Sequence, residues 1–231
     1  MAPTQDNAEQ RAAYWPVAVA RAIPAAGLAL WITFSADHSA VFGLVVFGVY
    51  GIVAGIVLGL FSWFRLGGSG VRTLFLVQAA VGIVVGIVAL ITDAVVASSG
   101  APRVGVSFFF VLLVIYFAIT GALELYSGYR TRGRNGNGYV ASTDWFAIGG
   151  LGAIAAIVFV AIPPGYSQSF TGPDHVLRVL DSAVVAVGLL GAYGAISAVY
   201  LLIAGLSAKW GTQSAATIVA EATPIEDEKH A

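Results

Sequence analysis

The sequence predicts an all-α integral membrane protein: six transmembrane helices arranged as three tandem helical hairpin repeats. Composition carries the first part of that prediction. Of 231 residues, 58% are hydrophobic and 10% charged, with a mean hydropathy of +0.88. Soluble domains carry roughly 25% charged residues, so this chain cannot cover a globule with polar side chains. The second observation is six apolar runs, at 14–34, 40–64, 73–97, 105–127, 145–163 and 178–206. Each approaches or exceeds the roughly 20 residues a spanning helix needs. The third is a pattern that recurs in the even-numbered runs. The runs are continuous rather than alternating, which argues for helices over a β-barrel.

The elements follow in order. Residues 1–13 open with "MAPTQDNAEQR", which is polar and lacks the basic region of a cleaved signal peptide. They read as a short cytoplasmic tail, with the first run as an uncleaved anchor. The loops between runs hold Gly, Pro, Ser, Asp, Asn and Arg, the usual turn residues. Basic residues then set orientation. Arg11, Arg65, Arg72, Arg130, Arg132, Arg134, Lys209 and Lys229 fall on one side, against Arg103 and Arg178 on the other. Both termini are therefore expected in the cytoplasm. Trp15, Trp63, Trp145 and Trp210 mark the expected inner boundary and Trp31 the outer one, as aromatic belts. The membrane domain covers 14–206, and 211–231 reads as a disordered acidic cytoplasmic tail, because "EATPIEDEKHA" is charged without apolar periodicity.

The recurring pattern starts at a tyrosine. "YGIVAGIVLGL" begins at Tyr50, "YFAITGALELY" at Tyr116 and "YGAISAVYLLI" at Tyr193, and a small residue follows five later: Gly55, Gly121, Ala198. With looser glycine patterns in the odd runs, this divides the chain into hairpins at about 14–65, 72–130 and 145–210. Gly51, Gly55 and Gly59, then Gly82 and Gly86, recur every four residues on one helix face, and Gly121 sits in the fourth run, within the second hairpin. Small residues at this spacing let helix backbones approach closely in lipid.

Polar groups inside the apolar runs are the candidate site. Arg21 lies six residues past Trp15, Gln78 six past Arg72 and Glu124 six before Arg130. At about 1.5 Å per residue each sits about 9 Å inside the same boundary. A charge at that depth costs roughly 2.5–3.5 kcal/mol on insertion scales. The matched depth predicts an Arg21–Glu124 ion pair with Gln78 hydrogen-bonded beside it. Such a layer can be a structural lock or part of a proton path, and each chain can instead snorkel to the interface. A second, outer-face titratable group comprises Asp37, His38, Asp93, Asp174, His175 and Asp181. Histidine titrates near roughly pH 6.5, so acidification would change the charge of this face.

Several function classes are excluded or unsupported. A net charge of −1 offers no electrostatic case for nucleic acid. The absence of cysteine removes disulfides and thiolate chemistry. HExxH, Walker and G-x-S-x-G motifs are all missing. "GRNGNG" at 133–138 is a basic cytoplasmic turn rather than a phosphate loop. No catalytic residue, cofactor or metal site is predicted.

Three stretches carry a resemblance to a known family: "WPVAVARAIPAAGLAL", "FGVYGIVAGIVLGLFSWFR" and "IVFVAIPPG", the last ending at Pro163 and Pro164. In these the chain resembles the HdeD-like small membrane proteins of bacteria, over roughly residues 14–206. Ala22 stands where that family has a glycine, and the first two odd runs lack its terminal proline. The resemblance implies a six-span inner-membrane protein associated with acid resistance and supplies no catalytic residues; with no enzyme motif present, the leading expectation is a non-enzymatic membrane protein linked to acid or envelope stress. Two alternatives stay open. One is a small proton or solute transporter or channel using the Arg21/Gln78/Glu124 layer. The other is a membrane scaffold subunit for a partner. Expected partners are the lipid bilayer and either a second copy or another membrane protein.

Overall fold

The computed structural model describes residues 5–67, 71–99, 105–132, 141–173, 175 and 177–222. Six helices follow one another: α1 Gln5–Phe34, α2 Ala40–Arg65, α3 Arg72–Ser99, α4 Val106–Thr131, α5 Ser142–Ala161 and α6 Ser182–Ala222. Each is long and apolar enough to cross a membrane. In lipid an unpaired backbone amide has no water to turn to, so these apolar runs satisfy themselves as helices. Successive helices alternate in direction. The start of α1 and the end of α6 therefore share one face of the bundle, called here the terminal face.

Several boundaries differ from the sequence expectation. Helix α1 begins at Gln5, inside the expected tail 1–13. Helix α6 runs to Ala222, so the first part of the expected disordered tail 211–231 is helical. "GTQSAATIVAEA" contains good helix formers and extends a helix already nucleated, which removes the cost of starting one. The sixth helix starts at Ser182, not 178, and the fifth ends at Ala161 rather than 163. Between them lies a two-stranded hairpin, β1 Ser167–Thr171 and β2 Leu177–Asp181, with Ser167 opposite Asp181 and Thr171 opposite Leu177. Pro163 and Pro164 end helical continuation, because proline disfavours the α conformation of the residue before it. His175 takes φ 58° in the turn, a left-handed conformation that histidine adopts more readily than most residues. The hairpin base is tied down: Ser182 Oγ donates to Pro164 O at 2.6 Å, and Ser182 N to Tyr166 O at 3.0 Å. This defines the opposite, hairpin face.

Helix ends carry their own caps. Ser39 Oγ accepts from Phe42 N at 3.2 Å to start α2, and Asp37 Oδ1 accepts from Ser39 N at 2.8 Å. Arg65 and Arg130 sit in the last turns of α2 and α4, where a cation complements the helix dipole. Within α1, Pro24 cannot donate to the carbonyl of Ala20, a gap that transmembrane helices tolerate.

The closest helix pairs are α2 with α3, α4 with α5, and α1 with α6. These differ from the pairs joined within the segments 14–65, 72–130 and 145–210. The ring closes through α1 and α6, and the even-numbered helices touch one another at its centre. Glycines explain the tight pairs. A Cβ built on Gly51 would lie 2.8 Å from Gly82 O, on Gly55 2.6 Å from Ala79 O, and on Gly86 2.6 Å from Gly48 O. On Gly121 it would meet Ala153 N at 2.9 Å, while on Gly82 it would meet Gly51 O at 3.1 Å. Gly59 is different, with its nearest neighbour, Ala79 Cβ, at an ordinary 3.4 Å. Beyond these, Gly149, Gly194 and Gly205 make equally close approaches that the quoted patterns did not single out.

Two apolar clusters fill the interior. Near the hairpin face lie Leu44, Phe47, Phe109, Leu113, Phe117 and Leu190. Near the terminal face lie Tyr14, Val17, Leu66, Phe75 and Trp145. Trp145 corrects the aromatic-belt expectation: it is 0% exposed, edge-on to both Tyr14 and Phe75. Trp63 and Trp210 do lie exposed, and Arg72 stacks over the Trp63 ring at 4.0 Å.

Candidate functional site: a polar cavity on the bundle axis

Between the two apolar clusters the helices bring polar groups together. Arg21 of α1 donates through Nη2 to Glu124 Oε1 of α4, forming an ion pair. Gln78 of α3 donates through Nε2 to the same oxygen at 2.8 Å. Glu124 is 2% exposed, Gln78 7% and the Arg21 side chain 11%. Snorkelling to the boundary is thus not what these three side chains do. The guanidinium also faces the Phe75 ring, 5.8 Å from its centroid, a distance at which cation–π attraction operates. Phe75 in turn stacks edge-on against Trp145. The ion pair therefore rests on an aromatic floor.

Above the pair is a cavity of about 30 Å³. Its lining falls into sets of three at equal spacing. The even helices contribute Tyr50, Ala54 and Leu58, then Tyr116, Thr120 and Glu124, then Tyr193, Ser197 and Leu201. The odd helices contribute Arg21 with Ala25, Gln78 with Gly82, and Ile148 with Gly152. A four-residue step returns a side chain to the same helix face, so each helix turns one stripe to the axis. Chemistry breaks the threefold likeness. Where α4 has Glu124, α2 and α6 have leucine; where α1 has Arg21, α3 has Gln78 and α5 has Ile148.

The tyrosines close the cavity toward the hairpin face. Tyr50 and Tyr116 stack edge-on at 6.3 Å, and Phe117 and Tyr193 at 4.5 Å. Phe47 packs on Tyr116 at 5.3 Å. Thr120 Oγ1 donates to Tyr116 O at 2.7 Å, which satisfies that hydroxyl within its own helix.

Comparison with protein-family models, with curated proteins and with solved structures finds no match to this chain.

Among the described residues, those of the outer face lie apart in different settings. Asp181 caps a helix, its Oδ1 accepting from Val184 N at 2.9 Å to start α6, while Asp37 accepts from Ser39 N in the turn before α2. His38 packs beside the Phe42 ring at 6.3 Å. Asp93 lies partly buried in α3, and His175 occupies the hairpin turn. Asp174 lies outside the described residues, as do Arg134 and the "GRNGNG" stretch. Among the described residues no three of His, Asp and Glu converge on a point that could hold a metal ion.

Sequence reasoning missed Tyr14, Phe75 and Ser197. For Phe75 a signal was available as spacing: it precedes Gln78 by three, as Trp145 precedes Ile148. One further polar contact joins α5 to α6, where Tyr200 Oη donates to Asp144 Oδ1 at 3.1 Å.

Proposed function

We propose that this chain is a non-enzymatic, multi-pass protein of a bacterial inner membrane, similar in kind to the HdeD-like proteins, serving resistance to acid or envelope stress with both termini in the cytoplasm. The observation that best supports a packed, non-catalytic bundle is the closure of its polar layer. Glu124 is engaged by Arg21 and Gln78 and sealed by aromatic and aliphatic side chains on both sides. The space beside it is water-sized, so it offers a solute no room. In this reading the ion pair acts as an internal lock on helix register, a role for which buried polar groups have precedent. The basic residues Arg65, Arg72 and Arg130 near the terminal face support the orientation. The stress role draws its support from the three quoted stretches of resemblance. Deletion of the gene from its host, followed by acid challenge, tests it. Survival should fall and be restored by the wild-type chain; unchanged survival rejects the stress role.

One observation favours a second reading, proton conduction: the carboxylate borders a polar cavity rather than a dry one. Proton flux into proteoliposomes, read with an internal pH dye, separates the two. Flux that Glu124→Gln abolishes would replace the lock with a proton path. No flux from folded wild type removes the conduction reading.

A further inference from the structure

We propose that the axial cavity is an internal hydration site, holding two water molecules that bridge Arg21, Gln78 and Ser197 at the centre of the bundle. This goes beyond both readings above and stands under either.

The cavity exists because of side-chain size at one level of the axis. Six helices present Ala25, Ala54, Gly82, Thr120, Gly152 and Ser197 there. All are small. One turn toward the hairpin face the axis is filled by Tyr50, Tyr116 and Tyr193, and one turn the other way by Leu58, Glu124 and Leu201. A hollow level between two bulky ones follows directly. Its volume of about 30 Å³ accommodates about two waters, since each needs roughly 10–15 Å³ of probe-occupied space.

The lining then selects the occupant. Arg21 Nη1 and Gln78 Oε1 are buried and have no hydrogen-bond partner in the protein, and Ser197 Oγ is buried beside the Tyr193 side chain without a well-formed hydrogen bond. They supply a charged donor, an acceptor and a hydroxyl that can serve as either. Apolar cavities stay dry, whereas buried water makes about three hydrogen bonds to otherwise unsatisfied polar groups. A bare ion fits less well. The layer holds one arginine against one glutamate, so its charges already cancel, and an added ion would have no counter-charge in a low-dielectric interior. A larger solute is excluded by volume.

The test uses the full chain in lipid nanodiscs and reads magnetisation transfer from water to the side chains of Gln78 and Arg21 by NMR. Water cross-peaks to both groups are expected in the wild type. Their absence from a folded wild-type spectrum overturns the proposal. Ser197→Val fills the hollow level with an apolar side chain and should abolish the cross-peaks while the amide fingerprint of distant residues is kept. Undiminished cross-peaks in that variant place the water elsewhere and also overturn the proposal. Ala54→Val fills the same level from α2 and carries the same expectation, so the outcome does not hang on one variant folding.

Discussion

Gln78 and Arg21, from helices α3 and α1, meet on one atom: each donates a hydrogen bond to Oε1 of Glu124. Three helices are thereby tied at a single buried oxygen. Removing the negative charge should leave Arg21 as an uncompensated cation in the interior.

Glu124→Gln should therefore destabilise the bundle by about 3–5 kcal/mol, the usual effect of breaking one half of a buried pair. The double variant Arg21→Met with Glu124→Gln removes both charges and should recover part of that loss. Thermal unfolding in detergent measures both. Equal losses in the single and double variants would contradict the pairing as the source of the effect.

The glycine contacts predict a difference between neighbours on one helix face. Gly55→Ala forces a Cβ to 2.6 Å from Ala79 O, so α2 and α3 must separate, at a cost of about 1–3 kcal/mol by overpacking. Gly59→Ala meets only Ala79 Cβ at 3.4 Å and should be neutral within error. Unfolding midpoints of the two variants, compared side by side, decide this.

Two tryptophans should respond in opposite ways. Trp145 is 0% exposed and Trp63 56%. Trp145→Ala opens a cavity beneath the ion pair and should cost about 3–5 kcal/mol. Trp63→Ala faces outward and should cost under about 1 kcal/mol, its main contact being the Arg72 cation above its ring. Fluorescence quenching adds a second readout: a lipid-borne quencher should reach Trp63 and spare Trp145.

Asp181 is predicted to matter for a helix end and not for a binding face. Asp181→Ala removes the acceptor for Val184 N and should weaken the start of α6 by about 1 kcal/mol. Hydrogen exchange should speed up at the Val184 amide. Unchanged exchange there would remove the capping role.

Much of this protein was legible from residue order alone. Six helices lie close to where hydropathy puts them, because each span is specified locally by its own apolar run. The polar layer was legible too: Arg21, Gln78 and Glu124 each stand six residues from a boundary marker, and depth along a helix is simple arithmetic at 1.5 Å per residue. The hairpin before Ser182 was not, since "SQSFT" and "LRVLD" are short and flank an ordinary turn. Trp145 was assigned to the boundary by type, yet its burial depends on which way its helix is turned.

The sequence by itself determined the membrane class, the number of spans and the common depth of the three polar residues. Tertiary structure alone decided which helices are neighbours, that α6 returns to close on α1, and that two apolar clusters seal the polar layer from both sides. The physical reason is that hydropathy and depth are properties of a single helix. Adjacency depends on the rotation of each helix about its axis and on glycines that permit close approach only when they face one another. The hollow level at Ala25, Ala54, Gly82, Thr120, Gly152 and Ser197 exists only once all six helices have turned those residues to one axis.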